Sequence, residues 1–185
     1  MPQFLRYNKV IMLKLSGSLL NQPVVSLRTG GAIARTESAI INPHNLKIEG
    51  FYCIDSRSRQ KLILLIQDIR DMIPAGIVVD DYDVLSEPSE LIRLTKVLEL
   101  QYELHGKPVQ TVKKHRLGKV NDYAVDDQSF FVQKLYVERS LLKSLSSDQL
   151  AIDRVEIIEV TDKRVIIKEI LKTSKAGLPA IAPAI

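Results

Sequence analysis

The sequence repeats itself, and this repeat limits the possible folds more than any other feature of the chain. Residues 19–24 read Leu-Leu-Asn-Gln-Pro-Val, and residues 104–109 read Leu-His-Gly-Lys-Pro-Val. The similarity continues along the chain. It begins at the offset that aligns Pro23 with Pro108, and after a one-residue deletion in the second copy the offset is smaller by one residue. Repetition over such a length predicts two tandem copies of one small fold.

A third block of similarity completes the predicted alignment. Ile77–Asp80 is matched with Leu150–Asp153, which makes the middle of the first copy longer than that of the second. Strand-forming ends around a variable loop are expected when two copies of one β fold diverge.

Turn-forming residues recur at equivalent positions. Asn21 and Gly106 both precede the shared proline step, and these residue types tolerate a left-handed backbone best, so a tight turn is predicted at both sites. Polar clusters at 42–45 and 126–129 predict a second pair of equivalent turns.

Short β-favouring runs lie between these turns. In the first copy we expect strands near 9–15, 23–28, 33–41, 46–54, 61–66 and 76–80, and in the second at 130–137, 155–160 and 164–170. Short strands separated by turn signals at this spacing favour small barrels or sandwiches over a parallel α/β sheet. The predicted class is therefore mainly β, with two tandem antiparallel barrels joined by a short helix.

The repeat also predicts how the chain is divided. Residues 1–86 form a first module, 87–104 a connecting helix, 105–172 a second module and 173–185 a disordered tail. The tail is predicted from its prolines and small residues.

The connecting helix is predicted from its start signals and its apolar spacing. Ser86 or Glu87 can cap it, Pro88 suits its first turn, and acidic residues near its start complement the helix dipole. An apolar stripe follows at spacings of three and four residues: Leu91, Leu94, Leu98 and Tyr102. Such a stripe packs against a barrel or, alternatively, binds a partner.

Charge is unevenly distributed in this basic chain, which has a formal charge of +4. Basic residues gather in the opening hairpin of each copy, and they are Arg28, Arg35, Lys107, Lys113, Lys114, Arg116 and Lys119. Such clusters predict contact with an acidic partner such as RNA. The alternative is that the charges only solvate the hairpins and keep strand edges from pairing.

The single cysteine, Cys53, leaves no partner for an intramolecular disulfide and lies in an apolar run, which predicts a buried small hydrophobe in a reducing, cytoplasmic protein. No apolar run approaches the ~20 residues of a membrane-spanning helix. We therefore expect no membrane span.

Two phrases of the sequence resemble the PRC-barrel family. The first joins residues 22–34 to 40–51, and the second joins residues 106–109 to 117–126. In that family a Gly-Lys-Pro-Val-like turn, a glycine-containing hairpin and an Asp-rich turn lead into a long strand. The resemblance implies a strongly bent antiparallel barrel of about six strands in each copy.

The resemblance also implies a role in docking. The family includes the cytoplasmic domain of the photosynthetic reaction-centre H subunit and the C-terminal domain of a ribosome maturation factor, and it is not defined by catalytic residues. The sequence shows neither the membrane helix of the one nor the N-terminal domain of the other, so neither specific function is expected to carry over.

No catalytic, metal-binding or cofactor-binding pattern emerges from the sequence. The histidines His44, His105 and His115 fit turn or surface positions and have no metal-ligand spacing. The acidic run 80–83 fits a strand-end turn, since the matched run 153–156 replaces one carboxylate with arginine.

Two functions are therefore predicted from the sequence. The first is a non-enzymatic adaptor that docks on a protein complex. The alternative is an RNA- or ribosome-associated factor that uses the basic hairpins. The near absence of aromatic residues in those hairpins argues against sequence-specific reading of single strands.

Overall fold

The computed structural model describes residues 12–138 and 149–169, and these residues are mainly β, as predicted. The elements in chain order are β1 (Leu13–Leu15), β2 (Pro23–Ser26), β3 (Ala32–Asn42), β4 (Lys47–Asp55), β5 (Lys61–Leu65), β6 (Ile69–Ile73), β7 (Gly76–Val79), β8 (Leu85–Ser86), α1 (Thr95–Leu100), β9 (Pro108–Thr111), β10 (Arg116–Asp126), β11 (Val132–Glu138), β12 (Gln149–Asp153), β13 (Ile157–Val160) and β14 (Val165–Ile167). The predicted tail at 173–185 lies outside the described residues.

The strands form two sheets with the same order of equivalent strands. The first sheet runs β6-β7-β2-β3-β4-β5-β8, and the second runs β13-β14-β9-β10-β11-β12. Both are mixed sheets, because β2 pairs with β7 and β9 with β14 in parallel. The prediction of purely antiparallel strands is therefore wrong for these pairs. Neither described sheet closes into a barrel: the first ends at β6 and β8, and the second ends at β13 and β12 and has β1 as a further edge strand paired with β10.

The topology corrects the third block of the predicted repeat. Leu150 pairs with Val137 as Leu62 pairs with Cys53, so 150–153 corresponds to β5 and not to β7. The true counterpart of β7 is β14, since Val165 lies beside Val109 as Ile77 lies beside Val24. Short buried strands share an apolar composition, so a four-residue match does not identify the partner.

The two predicted left-handed turns are present. Asn21 has φ 57° and Gly106 has φ 73°. The Asn21 amide donates to the Thr36 carbonyl in β3, and the Gly106 amide donates to the Val120 carbonyl in β10, both at 2.8 Å. The turn therefore returns the chain against the long hairpin strand before β2 or β9 begins.

The segments that precede the two copies are exchanged between the sheets. β1 pairs with β10 of the second sheet, with Leu15 opposite Ala124, whereas its position in the sequence suggests the first sheet. The segment aligned with β1 in the second copy, Leu98-Glu-Leu100, belongs to α1, which packs against β3 of the first sheet. Each sheet is thus completed by a segment that the alignment assigns to the other.

The connecting segment contains less α-helix than predicted. Its predicted start is correct, because Glu87 and Glu90 form a capping box with Pro88 in the first turn. Two 3₁₀ turns follow and are interrupted at Leu91, where ψ is 60°. Regular α-helix is confined to α1, which ends at left-handed Gln101. The apolar stripe therefore does not share one helical face.

The two sheets meet at a junction with local two-fold symmetry. The amide of Ile48 donates to the carbonyl of Phe130, and the amide of Val132 donates to the carbonyl of Leu46, both at 2.9 Å. These four residues are equivalent in pairs in the two copies. One continuous core, dominated by valine, isoleucine and leucine as predicted, runs through both sheets.

Candidate functional site

The seven predicted basic residues lie in or beside two separate hairpins. Arg28 and Arg35 belong to the β2–β3 hairpin, and the other five belong to or immediately precede the β9–β10 hairpin. The junction between the sheets lies at the opposite end of β3 and of β10. The two hairpin turns are therefore at the two distal ends, and the seven residues do not form one patch.

Cations of the first hairpin are satisfied within the chain. Arg28 forms an ion pair with Asp81, and the Arg35 guanidinium donates to the carbonyl of Asn21 at 2.6 Å. Lys107 of the second copy is likewise engaged, since its ammonium donates to the Asp162 carbonyl and lies 4.9 Å from the ring centroid of Tyr102.

Cations of the second hairpin are more available. Within 12–138 and 149–169, no carboxylate lies within 4.0 Å of the side-chain nitrogens of four of them, which are Lys113, Lys114, Arg116 and Lys119. All four side chains are exposed. This hairpin is therefore the more strongly electropositive end of the molecule.

Both hairpins are anchored by a hydroxyl and a carboxylate at equivalent positions. Ser26 donates to Asp81 at 3.2 Å, and a hydrogen bond from Thr111 to Glu169 takes its place in the second copy. Burial opposes ionisation of Glu169, but hydrogen bonds from His115 and Thr111 hold its pKa below the usual range. The His115 imidazole lies 2.9 Å from this carboxylate.

The equivalent edge strands expose aliphatic residues at different positions, Ile73 (41% exposed) in β6 of the first sheet and an apolar patch of Val155 and Ile158 at β13 of the second. Val155, just before β13, is 75% exposed, and Ile158 within β13 is 53% exposed. The equivalent positions beside and in β6 are Gln67 and Arg70, and Arg70 is ion-paired with Asp80. Both β6 and β13 are edge strands. The fold therefore accepts polar residues at these positions, and packing does not require the aliphatic ones.

Sequence reasoning missed this patch because of the incorrect third block. Matching 150–153 to β7 left Val155 and Ile158 without their true counterparts in β6. The sequence does contain a signal, since two aliphatic residues at an edge strand of the second copy replace polar residues of the first. This difference can be seen only after the pairing of the strands has given the correct alignment of the two copies.

The predicted partner-binding stripe is divided by the local backbone. Leu91, Leu94 and Leu98 are partly buried, and Tyr102 is 7% exposed and lies beyond the end of α1. Burial raises the pKa of Tyr102 to about 12. Tyr102 is thus a core residue, and of the three leucines only Leu98 lies in α1, the helix that packs against β3.

A polar cluster at the β1–β10 contact was not predicted. The Ser16 hydroxyl, which is 2% exposed, donates to Asp122 Oδ1 at 2.5 Å and lies 3.1 Å from His105 Nε2. Ser16 lies 89 positions before His105 and 106 before Asp122, so no local motif reveals the cluster. Catalytic triads place the imidazole between the hydroxyl and the carboxylate, whereas here both groups meet at the hydroxyl. The cluster is suited to holding β1 against β10.

Other candidate reactive groups are engaged in the fold. Cys53 is fully buried, as predicted, and burial raises the pKa of its thiol to about 12. In the acidic run 80–83, Asp80 forms an ion pair with Arg70, and Asp81 forms an ion pair with Arg28. The comparison of this run with 153–156 was wrong, because β14 leads into Lys168 and Glu169 at the equivalent positions.

No family model matches the chain, and no curated protein sequence matches it. Among the described residues, none of the helices has the length and apolar character needed to cross a membrane.

Proposed function

We propose that this protein is a non-enzymatic adaptor that docks on a protein complex, built from two PRC-barrel-like modules and acting in the cytoplasm. The observation that carries this proposal is the apolar edge of the second sheet. Among the strands that the structure describes, β13 pairs only with β14, so its outer side is open beside the exposed side chains of Val155 and Ile158. An extended segment of a partner protein can add to such an edge as a further strand.

The first sheet provides the internal comparison for this interpretation. At the same edge it has Gln67 and an Arg70–Asp80 ion pair, which discourage strand addition. Two copies with equivalent topology therefore differ at one edge, where polar residues are replaced by aliphatic ones. A difference of this kind is expected when one copy has a binding role and the other retains a protected edge.

The test is to transfer the residues of the first copy to the second. In the variant Val155→Gln/Ile158→Arg, every new residue already occupies the equivalent place in the same fold. Burial of these two side chains by a partner contributes about 2–4 kcal/mol, so we expect at least a tenfold loss of partner affinity. Affinity capture from native lysate, followed by titration of the captured protein, measures this loss.

The matched control is Ile92→Gln, which removes an 83% exposed aliphatic residue from the connecting segment. The control is expected to capture the same proteins as the wild type. Capture of the same proteins by the Val155→Gln/Ile158→Arg variant would contradict the adaptor function at this edge.

A ribosome- or RNA-associated role is the second candidate, and it is favoured by the four exposed cations of the second hairpin that have no carboxylate within 4.0 Å among the described residues. Nuclease treatment of the lysate before capture separates the two candidates. Partners of an adaptor remain bound after nuclease treatment, whereas partners held through RNA are released. RNA-mediated binding also weakens steeply as salt rises.

A further inference from the structure

The two distal ends of the molecule have the same construction and opposite charge. Residues 27–32 with 80–81 contain Arg28 and two aspartates, which gives a net charge of −1. The equivalent residues 112–116 with 168–169 contain three lysines, Arg116 and Glu169, which gives +3 with His115 neutral. Lys168 stands where the first copy has Asp80, so one side chain of this end has reversed its sign.

The positive end is continuous with the apolar edge described above. The amide of Val112 donates to the carbonyl of Ile167 at 3.0 Å, and the amide of Lys168 donates to the carbonyl of Glu156 at 2.8 Å. The ends of β9 and β14 and the start of β13 therefore lie side by side. Val112, which is 50% exposed, precedes Lys113, and Val155 precedes Glu156, whose carbonyl accepts the Lys168 amide.

The first copy shows which chemical group complements this construction. There Asp80 accepts two hydrogen bonds from the Arg70 guanidinium, and Asp81 pairs with Arg28, so carboxylates neutralise the end within the chain. In the second copy Glu169 is engaged by His115 and Thr111, and the additional cations have no carboxylate among the described residues within ion-pair distance.

We propose that this positive end, formed by Lys113, Lys114, Arg116 and Lys168, binds an acidic segment of the partner protein. The proposal rests on the adaptor function, because it supplies the charged half of the same docking face. Carboxylates of the partner take the place that Asp80 and Asp81 have in the first copy. Exposed charges of this kind direct the encounter and select the partner.

The surroundings favour a protein over a nucleic acid. Val112 and Val155 border the cations, and a protein partner can bury aliphatic side chains at the centre of an interface. The 112–116 turn contains no Phe, Tyr or Trp on which bases could stack.

The experiment again transfers residues from the first copy. The variant Lys114→Gly/Arg116→Ala/Lys168→Asp introduces the counterparts Gly30, Ala32 and Asp80 and gives this end the charge of the first copy. Lys114 has φ 65°, a backbone conformation that glycine adopts readily, so the change does not strain the turn. The control Arg57→Ala/Arg93→Ala/Lys96→Asp makes the same change in net charge at exposed positions elsewhere.

The full-length protein is titrated with poly-L-glutamate and, separately, with a short RNA duplex, at about 0.15 M ionic strength. We expect the transfer variant to bind poly-L-glutamate at least about tenfold more weakly than the wild type, and the control to remain within about twofold. RNA affinity is expected to fall by a similar factor in the two variants, because the proposal assigns this end to carboxylates and leaves only the general effect of net charge on RNA binding.

Three results would overturn the proposal. The first is that wild type does not bind poly-L-glutamate, the second is that both variants lose its binding equally, and the third is that RNA binding falls only in the transfer variant.

Thermal unfolding confirms that the variants fold, and Lys168→Asp alone provides the same comparison should the triple variant not fold. Failure here leaves the Val155/Ile158 experiment unaffected, so the two proposals can fail separately.

Discussion

Asp55, at the end of β4, shows how one buried carboxylate organises a turn. Its Oδ1 accepts hydrogen bonds from the amides of Arg57 at 2.5 Å and Ser58 at 3.1 Å. The Tyr82 hydroxyl donates to Oδ2. The side chain of Asp55 is 1% exposed, so these donors replace the water that an ionised carboxylate requires. The Tyr82 hydrogen bond is the main reason that the pKa of Asp55 lies below its usual value, with the amides contributing and burial opposing.

This lowered pKa makes the stability of the protein depend on pH. Because the pKa is lower in the folded state, the stabilisation is complete above the unfolded value of about 3.9 and is lost as pH falls through the folded value. Tyr82→Phe removes the hydroxyl, so we expect it to reduce the free energy of unfolding at neutral pH and to differ less from the wild type below about pH 3.9. Urea unfolding at several pH values measures the difference.

Tyr52→Phe is the control for that experiment, because the Tyr52 ring lies beneath the Lys61 ammonium and is retained by the substitution. Its unfolding free energy should follow that of the wild type at every pH. A Tyr82→Phe deficit that stays constant down to the acid limit would show that the hydroxyl does not act through ionisation of Asp55.

Residue type alone was enough to predict some backbone conformations and not others. Asn21 and Gly106 have left-handed backbones, and both residue types favour that conformation locally. Leu46 and Phe130 are also left-handed, with φ 52° and 59°, although large side chains disfavour this region. Each closes a local turn, since the Leu46 amide donates to the Asn42 carbonyl at 2.8 Å and the Phe130 amide donates to the Asp126 carbonyl at 2.9 Å, so the turn requires this conformation whatever the residue type.

Among the elements, β1 is the one whose position depends most on a few polar contacts. It is three residues long, and Leu13 and Leu15 are 46% and 48% exposed, so apolar burial contributes little to its attachment. Ser16 provides the additional contact, since its hydroxyl connects the end of β1 to Asp122 and His105. The carbonyl of Met12 accepts a hydrogen bond from the amide of Asp127 at the other end.

Ser16→Ala should therefore release β1 locally. Loss of a buried hydrogen bond to a carboxylate costs about 1–3 kcal/mol, and Asp122 would be left without this donor. We expect faster hydrogen exchange of the Asp127 amide, by at least about fivefold, with little change in the exchange of the β3–β4 amides.

Ser18→Ala is the matched control, because the Ser18 hydroxyl donates only to the nearby Leu15 carbonyl and does not reach the second sheet. The Asp127 amide should exchange at the wild-type rate in this variant. Equal acceleration in both variants would mean that the 16–19 turn, and not the Ser16–Asp122 contact, holds β1.

Sequence patterns predicted the positions of most strands, but they did not predict which strands pair with each other. Five strands predicted for the first copy, those near 23–28, 33–41, 46–54, 61–66 and 76–80, agree with β2, β3, β4, β5 and β7 to within two residues, since alternation and turn residues act locally. β6 and β8 were not among the predicted strands. The partner of β1 could not be predicted, because its pattern fits an edge of either sheet. The length of the connecting helix was overestimated because the chain breaks at Leu91, a residue type that favours helix and gives no signal of a break.

At the scale of the whole molecule, one core and one junction join the two sheets. Arg154 extends the junction, since its guanidinium donates to the Val132 carbonyl at 3.0 Å and to the Asn45 carbonyl at 2.6 Å. The same group lies 4.9 Å from the ring centroid of Phe131. Its counterpart in the first copy is Ile66, so this contact is made from one side only.

We expect the wild-type protein to unfold in one cooperative transition, because the core is continuous across both sheets. Arg154→Ala should reduce the free energy of unfolding by about 2 kcal/mol through the loss of hydrogen bonds from a charged donor. Arg154→Lys should also destabilise the protein, because an ammonium lacks the planar fork that reaches both carbonyls. Urea denaturation followed by far-ultraviolet circular dichroism and tyrosine fluorescence measures both effects.

Arg164→Ala provides the comparison, since Arg164 is exposed and makes only a 3.4 Å side-chain contact with Gln110 and backbone contacts in its turn. Its effect should stay within about 0.5 kcal/mol. Separate transitions for the two probes in the wild type, or equal stability of Arg154→Ala and wild type, would show that the junction does not couple the sheets.

The position of β1 also affects how the protein folds during its synthesis. Leu15 pairs with Ala124, so the ribosome must add more than a hundred further residues before the strand that receives β1 exists. At about 5–20 residues per second this takes roughly 5–20 seconds. The strands of the first sheet are all made within that interval and can assemble while β1 is still unpaired. The first of the described strands to be made is therefore among the last to pair, and a chaperone that binds short apolar segments could bind it during that interval.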